Sequence, residues 1–103
     1  MSVIIELIKG GTYSDVGKKY VKGPLKIDGV LQPNKRVAVF YRGLLQLIVS
    51  GITNSNGEYF LFLPDSVSVS SELLIVGFDD NKVYNSAVLD FVTPSVVTVN
   101  GVY

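Results

Sequence analysis

One run, Thr53-Asn54-Ser55-Asn56-Gly57-Glu58-Tyr59-Phe60-Leu61-Phe62-Leu63, constrains the fold more than any other stretch of the chain. Asn56-Gly57 tolerates positive φ, which a narrow hairpin turn requires. An apolar segment, Leu44 to Ile52, leads into the turn, and an aromatic one, Tyr59 to Leu63, leads out. The spacing predicts a β-hairpin. Gly57 supplies its turn. Tyr59, Leu61 and Leu63 share the inward side, and Phe60 and Phe62 the outward side, because side chains alternate along a strand.

The rest of the chain has the same character. Val3 to Ile8 reads as a short strand, followed by the loop-forming run Gly10-Gly11-Thr12-Tyr13-Ser14-Asp15-Val16-Gly17. Tyr20 to Asp28 is a strand containing Gly23-Pro24. Proline donates nothing to a ladder, so this strand is expected at an edge or with a bulge. Asp28-Gly29 opens a turn through Asn34, with Pro33 fixing the loop. In Lys35 to Arg42, Val37, Val39 and Tyr41 take one side, and Ala38 and Phe40 the other. Ser66 to Ser71 alternates but is serine-rich, so it fits a loop or a short edge strand, with the loop favoured. Leu73 to Phe78, Asn85 to Val92 and Val96 to Asn100 complete the strands, and Pro94 ends the penultimate one by removing a donor. No apolar pattern holds at helical spacing. Short strands between regular turns predict an all-β chain, a small sandwich of seven to eight strands. The expected division is 1–18, an N-terminal strand or arm with a glycine-rich connector, and 19–103, the sandwich.

Composition narrows the function. The chain has 103 residues, enough for one domain. Nine basic and nine acidic residues cancel, which argues against nucleic-acid binding by phosphate neutralisation. Charged residues are 17% of the chain, against about 25% in an average domain. So few solvating groups suit a subunit of an assembly better than a free monomer. There is no cysteine and no histidine, hence no disulfide, no thiolate or imidazole metal ligand and no histidine base. The N-terminus has no signal-peptide pattern, and no run of about 18 apolar residues suggests a membrane span. Synthesis and folding in a cytoplasm are expected.

Several motifs resemble a known family. Gly23-x-Leu25-x-Ile27-Asp28-Gly29-Val30, Pro33-x-x-Arg36-Val37-Ala38-Val39-Phe40-Tyr41 and Thr53-x-Ser55-x-x-Gly57-x-Tyr59 look like the carboxypeptidase regulatory-like, or transthyretin-like, β-sandwich. Phe78-Asp79-Asp80-x-x-x-Tyr84-Asn85-x-Ala87-x-x-Asp90-x-Val92-Thr93-Pro94 is similar to the variant of this domain met in tailed-bacteriophage tail and virion proteins. The resemblance leaves residues 1 to 18 outside. It implies an Ig-like sandwich in a structural protein of a virion, in its tail, baseplate or neck, made in the host cytoplasm and partnered by other virion proteins or further copies of itself. A capsid decoration or cement protein and a soluble carbohydrate-binding sandwich are the alternatives.

No constellation points to chemistry. Asp79, Asp80 and Asp90 offer oxygen ligands, but their spacing is not that of an EF-hand loop. Glu58 and Glu72 lie beside turns, where solvated carboxylates are the rule, and the serines have no base. Lys26 and Asn85 are the residue types of the internal amide bonds in some transthyretin-like pilin sandwiches, on fold analogy alone. We therefore expect no enzyme, no cofactor and no metal.

The apolar residues left outside are more informative. With Val37, Val39, Leu73 and Ile75 inward, Phe40, Leu74, Val76 and Phe78 join Phe60 and Phe62 outward. A sheet with two apolar faces needs a cover. Either a loop or the Val3–Ile8 strand supplies it, or a partner subunit does. Val3, Ile5 and Leu7 are themselves candidate interface residues. Gly10-Gly11 can hinge their strand onto its own sheet edge or a neighbour's.

Overall fold

The computed structural model describes residues 3–7, 17–79 and 87–97. Nine strands lie within them: β1 (Val3–Ile5), β2 (Lys19–Ile27), β3 (Val30–Leu31), β4 (Arg36–Tyr41), β5 (Gln46–Ile52), β6 (Glu58–Phe62), β7 (Leu73–Gly77), β8 (Ala87–Val92) and β9 (Ser95–Val96). The described residues contain no helix. All pairings are antiparallel. One sheet has five strands arranged around β2, and the other runs β5-β4-β7-β8. Ser66 to Ser71 is loop.

The two sheets enclose one core, giving a sandwich-like globule. Val21, Leu25, Tyr59 and Leu61 come from the first sheet; Val37, Val39, Leu73 and Ile75 come from the second. Alternation explains the choice. Val21 pairs with Leu61 and Gly23 with Tyr59, so the side chains of Val21, Leu61 and Tyr59 share the inner face. Val39 pairs with Ile75 on the opposing sheet.

The expected hairpin at Asn56-Gly57 is corrected. β5 pairs with β4 and β6 pairs with β2, so the turn carries the chain from one sheet to the other as an arch. Only Gly57 has positive φ there, 74°. The two-residue hairpin turn lies instead at Asp28-Gly29, where φ is 52° and 80° and β2 pairs with β3. Positive φ at both central residues is the type I′ signature.

The expectation of an edge position or bulge for Gly23-Pro24 is also corrected. β2 is central, with β6 and β3 along one side and β9 and β1 along the other. The physical reason is a substituted donor. The Glu6 amide donates to the Pro24 carbonyl at 3.1 Å, but Pro24 has no N–H to return to the Glu6 carbonyl. The Tyr59 hydroxyl donates to that carbonyl instead. It reaches across Gly23, where a Cβ would collide with the Glu6 carbonyl oxygen. Burial, and to a lesser extent the Glu6 charge, pushes the Tyr59 phenol above its ordinary pKa.

Candidate interaction surfaces

The outer face of the β5-β4-β7-β8 sheet is apolar at its centre. Phe40 lies directly between Leu47 and Leu74 in register, and Val76 between Ala38 and Val88. Leu47 is 54% exposed and Val88 57%. Phe40, Leu74 and Val76 are half-buried by one another. Ala38 faces the same way yet is buried, being a short side chain in the middle of the sheet.

Cationic groups flank this centre. The Arg36 guanidinium lies 4.3 Å from the centroid of the Phe78 ring. Arg42 lies 3.6 Å from that of Phe91 and grips Asp90 with both prongs, at 2.7 and 3.4 Å. The hydrogen bond from Arg42 holds the Asp90 carboxyl below its ordinary pKa and raises that of the guanidinium in return. A bulge in β8 opposite Leu74 builds this corner. The register shifts between Leu73 and Ile75, and Phe91 adopts φ of 53°, with its amide held by the Asp90 carboxylate at 2.8 Å. An apolar centre with a charged rim is the anatomy of a protein interface.

Phe60 and Phe62 do not join this patch. They project from the outer face of the five-stranded sheet, where Phe62 pairs with Tyr20 and Phe60 with Lys22. The Phe60 ring stacks on Tyr20 at 5.2 Å and meets Phe62 edge-on at 5.1 Å. Tyr20 is fully buried although it faces out. The outward aromatics expected to form one surface are therefore two, on opposite sides of the core.

The N-terminal candidates divide. β1 pairs with β2 of the same chain, Val3 opposite Ile27 and Ile5 opposite Leu25. Ile5 is 5% exposed within the common core, and Leu7 packs against that core. The reading of Ile5 and Leu7 as interface residues is thus corrected: Gly23 and Tyr59 dock this segment onto its own sheet. Gly10-Gly11, the expected hinge, lies outside the described residues, as do Asp80, Tyr84 and Asn85.

The remaining residues singled out in the sequence are scattered. Asp79 is buried and pairs with Lys35 at 3.7 Å, whereas Asp90 is exposed and held by Arg42. The described residues include no cluster of three acidic side chains suited to a metal. Lys26 pairs with Glu6 at 3.5 Å. Glu58 begins β6 and Glu72 precedes β7; both are exposed and they belong to different sides of the core. Pro33 lies in the exposed turn before β4, and Pro94 is buried where the chain passes from β8 in one sheet to β9 in the other.

Sequence reasoning named Thr53 in a motif but gave its side chain no role. Its buried hydroxyl donates to the Gln32 carbonyl and accepts from the Lys35 amide at 2.9 Å, joining the arch to the β3–β4 turn. A threonine opening a polar turn looks like any turn residue, so no local signal marks it. Compared with family models, with curated proteins and with solved structures, the chain matches none.

Proposed function

We propose that this chain is a non-enzymatic structural subunit of a tailed-phage virion, with a transthyretin-like sandwich, packing as repeated copies against neighbouring proteins. The observation that carries the structural role is the apolar centre around Phe40, Leu74 and Val76, bordered by Arg36 and Arg42. Its exposed members, Leu47 and Val88, are large side chains that a partner would remove from water, each contributing about 1 kcal/mol or more. The virion setting rests on the motif resemblance running from Gly23 to Pro94. The carbohydrate-binding alternative is less well supported. The Phe60 and Phe62 rings meet at 66°, so they do not form the flat shelf on which a sugar chain stacks.

The test is mass spectrometry and antibody labelling of purified particles made with the normal chain and with Leu47→Asp/Val88→Asp. The reading expects the normal chain in every particle at fixed copy number. It expects the variant to melt like the parent and yet be absent from particles. Particles complete without the chain would overturn the virion role, and normal incorporation of the variant would overturn the use of this face.

A further inference from the structure

The two edges of the four-stranded sheet are built differently. β8 carries Asp90 locked to Arg42, a bulge, and Phe91 at positive φ. Charge and irregularity of this kind discourage a foreign strand from adding. β5 reads Gln46-Leu47-Ile48-Val49-Ser50-Gly51-Ile52, with no charge and no proline. Its own bulge, the extra residue Ile48, affects the N-terminal half, and Val49 to Ile52 stays in regular register with β4. The Thr53 amide donates to the Lys35 carbonyl at 2.8 Å, so Thr53, Gly51 and Val49 turn their backbone groups toward β4. Ser50 and Ile52 therefore direct theirs off the sheet, and β5 pairs only with β4 among the described strands.

We infer that a second copy of this chain docks along β5, antiparallel and two-fold, merging the two four-stranded sheets into one continuous sheet. The inference deepens the structural role proposed above, and rests on it, by naming one neighbour in the assembly. The distribution of exposed apolar residues argues for a second copy. In the N-terminal half of β5, Leu47 is 54% exposed, and at the other end Ile52 is 63% exposed. Antiparallel self-pairing about Ser50 sets each Ile52 beside the partner's Leu47–Ile48 bulge, so Leu47 and Ile52 of the two copies cover one another on the outer face, twice over by symmetry. A seam without charge also meets itself without repulsion. The two-fold axis falls near Ser50, whose side chain shares the outer face with Leu47 and Ile52. The apolar outer faces of the two copies then lie side by side.

The full chain is tested by light scattering at increasing concentration, as the parent and as Ser50→Lys/Ile52→Lys. The parent should have twice the chain mass, and the charged variant should have the monomer mass with a melt close to the parent's. Because the chain has no cysteine, Ser50→Cys gives a single reactive thiol. Mild oxidation should cross-link it at least about 10-fold faster than Ser70→Cys, placed on the Ser66 to Ser71 loop away from the seam. A parent monomeric up to about 1 mM overturns the seam. So does a dimer that survives both lysines, or equal cross-linking of the two thiols. None of these outcomes bears on incorporation of Leu47→Asp/Val88→Asp into particles, so the seam and the structural role fail separately.

Discussion

Asp28-Gly29 and Asn56-Gly57 carry nearly the same local signal and do opposite work. At the first, both residues have positive φ and the chain folds back on itself to pair β2 with β3. At the second, only Gly57 has positive φ, and the flanking strands enter different sheets. The arch is held by side chains as well as by the backbone bonds from the Asn54 amide to the Glu58 carbonyl at 2.8 Å and from the Gly57 amide to the Asn54 carbonyl at 3.0 Å. The Asn54 carboxamide accepts from the Asn56 and Glu58 amides at 2.9 and 3.1 Å. Thr53 ties the same segment to Gln32 and Lys35. Crowding differs as well. A Cβ on Gly29 would meet nothing within 4 Å, whereas one on Gly57 would lie 2.7 Å from the Gln32 nitrogen and 2.7 Å from the Leu31 Cβ. A turn that joins neighbours in one sheet stands in solvent, and one that joins two sheets is pressed against whatever lies between them.

The sharpest way to break this contrast is Gly57→Val. Backbone strain and the clash with residues 31 and 32 together should cost about 4 kcal/mol in a denaturant melt. A loss under about 1 kcal/mol would mean that the arch relaxes as freely as an exposed turn. Thr53→Val keeps the shape but strands the Gln32 carbonyl and the Lys35 amide, and should cost about 2 kcal/mol by the same measurement. Asn54→Ala removes an acceptor shared by two amides and should cost about 1.5 kcal/mol. At the other turn, Gly29→Ala adds only the strain of a left-handed residue in open space, about 1 kcal/mol. The smallest effect is expected at Asn56→Ala, within about 0.5 kcal/mol, since Asn56 is exposed and lacks positive φ. If Asn56→Ala proved as costly as Asn54→Ala, the Asn-Gly pair itself, rather than the Asn54 cap, would be holding the arch.

The inner faces of the strands are legible in the amino-acid pattern. Tyr59, Leu61 and Leu63, like Val37 and Val39, are buried as alternation requires. The outward position of Phe40, Leu74 and Val76 follows from the same arithmetic. What alternation lacks is the identity of the neighbouring strand. It places Phe60 and Phe62 outward but cannot tell that they leave by a different sheet from Phe40. It also marks Val3, Ile5 and Leu7 as apolar without showing that Glu6 sits against Gly23.

The sequence by itself therefore determined the secondary-structure class, the face of most strands and the need for Gly57, because these depend on period-2 patterning and on backbone sterics within a few residues. The tertiary structure decided which strands pair, why Pro24 is tolerated in a central strand, and which strands lie at the edges of the four-stranded sheet among the described residues. Those outcomes depend on contacts between residues far apart in the chain. The Tyr59 hydroxyl supplies the donor that Pro24 lacks, to a carbonyl 53 positions away in sequence. Arg42 closes one sheet edge through an aspartate 48 positions away. Neither distance leaves a trace in the local pattern.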